Sequence, residues 1–301
     1  MATTKENETH KSNVALTSVL AAVGLTGMKV VVGVLTGSLG ILAEAAHSGL
    51  DLIAALITYL AVRISGKPAD SDHRYGHGKV ENLSALFETL LLLVTCVWII
   101  YEALKRLLFR HIEVEVSVWS FVVMITSILV DINRSRMLYG AAKKYNSQAL
   151  EADALHFSTD IWSSSVVILG LICVKLSEWF PAVSFLKLAD SIAAMGVAVI
   201  VIYVSIELGI RTVQGLLDTA PKGMPEDIKH AVEQVKGVND CHQIRIRRSG
   251  PYLFIDAHVL VEPHQTLEEA HLLIDKIETV ILKIAPGADV TIHPEPIPHV
   301  D

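Results

Sequence analysis

Apolar residues in the first two thirds of the chain come in long runs separated by short polar segments. Crossing the hydrocarbon core of a bilayer takes about 20 mostly apolar helical residues. Six windows reach that length, at about 14–36, 40–63, 83–107, 116–138, 150–177 and 186–212, and predict six transmembrane helices. The first window follows the polar stretch MATTKENETHKSN, lacks a small-residue cleavage site and leads straight into the second, so it reads as a retained helix rather than a signal peptide. After Leu217 the period changes. Pro221 and Pro225 punctuate the chain, 225–236 reads as helix, 241–248 and 252–262 alternate as strands, 266–284 is an amphipathic helix and 289–293 a short strand. The expected organisation is a polar segment 1–13, a six-helix membrane domain 14–217 and an αββαβ domain 218–301, a small sheet with helices on one face.

Composition narrows the function classes. Of 301 residues 51% are hydrophobic and 19% charged, with a mean hydropathy of +0.47, which excludes a disordered chain, a disulfide scaffold and an ordinary cytosolic enzyme. Cys96, Cys173 and Cys241 form no CxxC pair, so neither disulfides nor thiol catalysis is expected. The net charge of -7 argues against nucleic acid as a partner. Residues 220–301 hold 13 acidic against 8 basic side chains and so carry -5 of it.

Lys and Arg in the short loops set the orientation. With both termini inside, Lys5, Lys11, Arg63, Lys67, Arg74, Lys79, Arg134, Arg136, Lys143, Lys144 and Arg211 are cytoplasmic, against Lys105, Arg106, Arg110, Lys175 and Lys187 outside. The bias predicts cytoplasmic termini, in a bacterial inner membrane.

Ionisable residues stand where lipid is expected. The second window reads LAEAAHSGLDLIAAL and puts His47 and Asp51 four apart, hence on one helical face; the fifth reads EADALHFSTDIWSSS and repeats the device with His156 and Asp160. A charge at membrane depth costs about 2.5–3.5 kcal/mol on insertion scales, so such residues face a cavity, a partner or an ion. Two imidazoles and two carboxylates from two packed helices make an N2O2 set suited to tetrahedral Zn2+. The plainer alternative is four residues that satisfy one another by hydrogen bonds; duplication at the same spacing favours ligation. Lys29 snorkels or pairs with a carboxylate, and Asp131 pairs with nearby Arg residues or lines an ion path. Glu44, Asp153 and Asp190 fall near helix ends and read as structural. Gly24, Ala45, Gly49, Ser163 and Ser164 let helices approach closely.

The loop KPADSDHRYGHGKVE places Asp70, His73 and His77 within eight positions, enough for a surface metal site or simply a polar turn, and Lys79 and Glu81 close it as candidates for ion pairs. In the tail, His258 shares a strand face with Asp256, and His242 and His293 sit near strand ends. Spacing alone leaves these between solvated residues and ligands. His10, His111, His230, His264 and His299 have no partner at ligand spacing and read as surface residues.

From TGSLGILAEAAHSGLD through KPADSDHRYGHGKVE to GLLDTAP and the tail, the chain resembles the cation diffusion facilitators, proton-coupled exporters of divalent metals. The resemblance implies a six-helix fold, a homodimer, a transport site at mid-membrane and a cytoplasmic tail with a metallochaperone-like, ferredoxin-like αββαβ fold. By position it implies a transport site at His47, Asp51, His156 and Asp160, and a loop site at Asp70, His73 and His77. It also implies a tail site at His242, His258, His271, His293 and Glu295, and a charge pair Lys79–Asp218 that ties the helices together. Three departures stand out. His47 replaces an Asp found in many bacterial members, which favours Zn2+ over Cd2+. Glu295 after Pro294 stands where Asp is common, and only KKYNSQ occupies the place of a His-rich loop.

The function expected is Zn2+ efflux by alternating access, with protons displacing the metal from imidazoles that titrate near pH 6.5 when unperturbed. Zn2+ also acts as a regulatory ion in the tail, and no organic cofactor is expected. An intramembrane metalloprotease needs a motif such as HExxH, which is missing. A metal sensor or scaffold without transport is the other rival. Fe2+, Co2+ and Cd2+ are alternative cargoes, and Mn2+ is disfavoured by two imidazoles.

Overall fold

The computed structural model describes residues 2–109, 118–179 and 189–298. Arg110, His111, Lys187 and His299 lie outside these, as do the side chains of Arg106, Cys173, Lys175 and Asp190. The helices α1 (Ala2–Thr36), α2 (Leu39–Ser65), α3 (Lys79–Phe109), α4 (Val118–Tyr145), α5 (Gln148–Trp179) and α6 (Ala189–Leu216) stand at the six apolar windows. Among the described residues, four stretches are long and apolar enough to cross a membrane: Glu6–Thr36, Glu44–Ser65, Lys79–Tyr101 and Met195–Leu216.

Large apolar side chains such as Leu20, Leu35, Val94, Trp98 and Tyr203 point outward, whereas Lys11, Lys29, Asp51, Glu81, Glu88, Arg134, Asp153 and His156 are buried. That inversion suits a bundle whose solvent is lipid, because every polar group must then find its partner inside. Gly37, at φ 67, turns the chain between α1 and α2, and the Ser38 side chain caps α2 by accepting from the Ile41 N–H. Asn146, at φ 51, makes the corresponding turn between α4 and α5. The two hairpins pack together through α1 and α4 and through α2 and α5, around an alanine-rich core of Ala15, Ala55, Ala141, Ala142, Ala149 and Ala154. Small side chains allow this approach.

Helix α3 joins the bundle through polar contacts. Lys11 Nζ lies 2.8 Å from Glu81 Oε1, with the two side chains 1% and 0% exposed. Ser65 Oγ donates to the same carboxylate at 2.6 Å, and so does Ser147.

The tail forms α7 (Met224–Glu233), β1 (Val238–Ser249), β2 (Tyr252–Val261), α8 (Leu267–Ile284) and β3 (Asp289–Pro296). This αββαβ order has a ferredoxin-like pattern. β1 and β2 form an antiparallel hairpin, and β3 returns through α8 to lie parallel to β2, giving the sheet order β1-β2-β3. Thr266 and Glu269 form a capping box at the start of α8. Ile228, Val232, Ile255, Val259, Leu273, Ile277 and Ile281 fill the core between helices and sheet. Relative to expectation α7 ends earlier, β1 begins three residues sooner and β3 runs on past Pro294. Cys96 and Cys241 are free and buried, and burial pushes the Cys241 thiol up to about 11.

Residues 68–79 form one compact unit with 213–301, and the remaining helical residues form the other. The Arg247 guanidinium stacks 3.4 Å from the Tyr75 ring centroid, and Tyr75 meets Phe254 edge-on at 5.3 Å. Gly78 and Gly250 touch backbone to backbone; a Cβ on Gly78 would overlap the Ser249 carbonyl.

Lys11→Met is expected to destabilise the helical unit by about 3 kcal/mol, near the low end for stranding one member of a buried pair, because two hydroxyls still donate to Glu81. Denaturant unfolding in detergent measures this. Lys11→Met combined with Glu81→Leu should recover most of the loss.

Candidate metal centres

On α2 and α5 the i, i+4 spacing aims each His–Asp pair inward, and the helices meet where the pairs are. His156 Nε2 lies 3.1 Å from Asp51 Oδ1 and 3.7 Å from Asp160 Oδ2; His47 Nε2 lies 3.9 Å from Asp51 Oδ1 and 4.0 Å from Asp160 Oδ1. Metal–ligand bonds of about 2.0–2.1 Å make the edges of a tetrahedron about 3.4 Å long. These four separations of 3.1–4.0 Å bracket that value, and His47, Asp51 and Asp160 form the compact group, with His156 beside it. The set is closed at His156, which is 2% exposed, and open at His47, whose side chain is 45% exposed.

Neighbouring charges are paired off. Arg134 Nη1 donates to Asp131 Oδ1 at 3.3 Å, its Nη2 donates to Ser18, and its guanidinium covers the Phe157 ring at 3.5 Å. Of its two readings, Asp131 thus shows the Arg pair. Lys29 does not snorkel: it pairs with Glu44 at 3.3 Å and donates to Ser48 Oγ at 2.7 Å. Asp153 is buried two turns into α5 and accepts from Ser18 Oγ at 3.4 Å. Glu88, fully buried on α3, accepts from Thr58 Oγ1 at 2.6 Å. It was not singled out among the candidate residues, although an acid in the apolar run FETLLLLV, seven residues after Glu81, is a readable signal.

In the loop, Asp70 Oδ1 accepts the backbone N–H groups of His73 at 2.7 Å and Asp72 at 3.0 Å, folding a tight turn. That turn brings His73 Nδ1 to 3.5 Å and His77 Nε2 to 3.4 Å from the same carboxylate. The His73 and Asp72 N–H bonds hold the Asp70 carboxyl below its ordinary value. Lys79 Nζ lies 2.8 Å from Asp218 Oδ1 and donates to the Leu216 carbonyl at 3.3 Å. Asp218 itself sits at φ 57, just past the end of α6.

In the tail, strand register puts His242, His258 and His293 in a row across β1, β2 and β3. Glu295, two residues beyond His293 and so on the same strand face, sits at their centre. Its Oε1 is 2.7 Å from His258 Nδ1 and 3.8 Å from His293 Nε2, and its Oε2 is 3.3 Å from His242 Nε2. A β-bulge with Gln243 at φ 50 follows His242 and re-aims the strand there. The hydrogen bond from His258 holds the Glu295 carboxyl below its ordinary value. His271, on α8, is not part of this cluster; it is exposed and lies 4.0 Å from Asp275. Asp240, which spacing did not single out, holds His242 Nδ1 at 3.0 Å. It stands two residues before His242 on a strand, the alternation by which Asp256 was noticed.

Comparison with known proteins adds a family. Residues 15–217 match the model of the cation efflux transmembrane domain, and 221–297 that of the cation efflux protein cytoplasmic domain. The cation-efflux pump FieF of Cronobacter sakazakii is 31% identical over 289 residues, covering 95% of this chain and 92% of the relative. FieF of Pectobacterium carotovorum is 32% identical over 291 residues, 92% of each. Among solved structures, the domain MamM-CTD matches 25% of this chain and 98% of its own at 22% identity, with a TM-score of 0.24.

A carboxylate held below its ordinary value contributes fully above about pH 4.3 and loses that contribution only as pH falls through the lowered value. Glu295 therefore stays anionic across the physiological range. Glu295→Gln is expected to weaken metal binding at the tail by about tenfold or more, and by the same factor at pH 7 and pH 5.5, as measured by calorimetry.

Proposed function

Because the chain belongs to the cation efflux family, we propose that it exports Zn2+ across the bacterial inner membrane in exchange for protons, with His47, Asp51, His156 and Asp160 as the transport site. The coarse activity, cation efflux by a multi-pass membrane protein, goes with the family. The finer reading rests chiefly on one observation: two imidazoles and two carboxylates from α2 and α5 converge at 3.1–4.0 Å.

Two imidazole nitrogens and two carboxylate oxygens suit Zn2+. Mn2+ prefers more oxygen ligands; Fe2+, Co2+ and Cd2+ remain competitors for the same donors. Metal enters from the cytoplasm and the bundle rocks to face outward. There protons compete for the imidazoles and carboxylates, because only their deprotonated forms hold metal. Proton entry thereby drives metal exit.

The tail carries a second role in this reading. Two acidic tails in a homodimer repel, and Zn2+ held at His242, His258, His293 and Glu295 offsets that repulsion. His271 faces a partner of its own, Asp275, and is left out of the proposed set. Asp70, His73 and His77 would hold a further ion, and Lys79–Asp218 fastens the end of α6 to the start of α3. A sensor without transport would keep these tail properties and show no flux.

Flux into proteoliposomes, measured for Zn2+, Cd2+, Co2+, Fe2+ and Mn2+ with and without a pH gradient, tests the transport reading. Zn2+ is expected to move fastest and only with a gradient, and Asp51→Ala should lower flux by about 100-fold or more. Unchanged Zn2+ flux in Asp51→Ala would falsify the site. A spin-label distance between the two tails should shorten as Zn2+ is titrated; a constant distance with metal bound removes the sensor role.

A further inference from the structure

Below the transport site the interface between α2 and α3 is a ladder of polar rungs. Asp51, Thr58 and Ser65 recur every seven residues on α2, on one face and about 10 Å apart along the axis. Glu81 and Glu88 recur at the same interval on α3. Ser65 Oγ donates to Glu81 at 2.6 Å, Thr58 Oγ1 donates to Glu88 at 2.6 Å, and Asp51 meets His156 at 3.1 Å.

The rungs differ in how their charge is met. Glu81 has Lys11 at 2.8 Å and two hydroxyl donors, so it is a neutralised latch. Glu88 has one hydroxyl donor, and its Oε2 is buried with no hydrogen-bond partner. Among the described residues no Lys or Arg forms an ion pair with it. The charged and titratable groups that act on it are His156 and Asp153 from α5, Asp51 from α2 and Arg134 from α4. His156 Nδ1 and Asp153 Oδ1 are likewise buried and unpartnered.

A buried carboxylate without a countercharge costs several kcal/mol, and taking up a proton removes that cost. A divalent cation one rung above changes the balance: its two positive charges favour the ionised acid. Glu88 is thus placed to sense the occupancy of the metal site without touching the metal.

We propose that Glu88 is a proton carrier of the transport cycle, separate from the four metal ligands. It holds a proton while the metal site is empty and releases it toward the end of the bundle where α2 and α3 are joined when a divalent cation binds. On metal binding the Glu88 O–H bond breaks, the electron pair stays on the carboxylate, and the proton leaves to water at that end. When metal departs, the bond reforms with a proton delivered through the vacated site. This rests on the assignment of His47, Asp51, His156 and Asp160 as the transport site. Thr58 orients the carboxylate.

The test uses the full-length protein and Zn2+. Proton release on Zn2+ binding is read by calorimetry in buffers of different ionisation enthalpy, and Zn2+-driven proton flux by a pH dye trapped in proteoliposomes. Glu88→Gln keeps the shape and the Thr58 hydrogen bond but cannot ionise. It is expected to bind as many Zn2+ equivalents as the parent, release about one proton fewer per transport site and move protons about tenfold or more slower. An unchanged proton count overturns the proposal, and so does loss of a Zn2+ equivalent, which makes Glu88 a support of the metal site. Should Glu88→Gln not give monodisperse protein, Glu88→Asp keeps the acid but withdraws it from Thr58. Its proton count should match the parent at a lower rate, and an unchanged rate overturns the proposal. Asp51→Ala in parallel separates the two readings: if it binds Zn2+ at full stoichiometry, the transport-site assignment fails, whatever Glu88 does.

Discussion

Burying charge inside a bundle whose outer surface is apolar is the constraint on which the helical unit depends. With Leu20, Val94 and Tyr203 turned outward, the buried charged groups of the helices have to find their partners within the bundle. The consequence is a set of specific pairs: Lys11 with Glu81 and Lys29 with Glu44 between helices, and Arg134 with Asp131 within α4. Hydrophobic contact gives little preference between helix partners in lipid, whereas a stranded carboxylate is expensive. The two pairs between helices therefore favour α1 beside α3 and α1 beside α2. The His–Asp set of α2 and α5 belongs to the same system, and among the described residues neither Asp51 nor Asp160 shows an ion pair with a Lys or Arg. A mobile cation is the natural complement to such a group.

The tail solves a different problem with different means. Its core of Ile, Val and Leu is that of an ordinary small domain, and its metal-type side chains sit on the sheet. Three strands in register turn three distant histidines into one row, and a glutamate two residues on joins them. Glu295 spans from His258 to His242.

Much of this was legible in the sequence, because the strongest signals there are periodic. Apolar windows located six helices, alternation located the strands, and i, i+4 spacing put His47 with Asp51 and His156 with Asp160. What spacing could not reveal was pairing across elements. Whether Lys29 snorkelled depended on Glu44 from another helix, whereas Asp131 met Arg134 three residues on along its own helix, at a spacing the sequence displays. Glu88 was missed because a single acid within an apolar run has no partner on its own helix to betray its role; its partner, Thr58, is 30 residues away. His271 was placed with the tail cluster by position in a resembling pattern; on α8 it lies 4.0 Å from Asp275. The loop 68–79 read as part of the membrane domain, since nothing in its own residues announces that Tyr75 lies under Arg247.

That last contact alters what counts as a module. A tail attached only after α6 could be cut away or exchanged at one junction. Here the chain passes between the two units after residue 67, again after 79 and again after 212. A cut at one of these crossings leaves the other two in place. Excision at residue 217 would uncover the Tyr75 ring and the backbone at Gly78, while grafting a foreign tail would set a side chain where Gly250 now lets the two backbones touch. Chimaeras between members of such a family would therefore have to exchange the α2–α3 loop and the tail together.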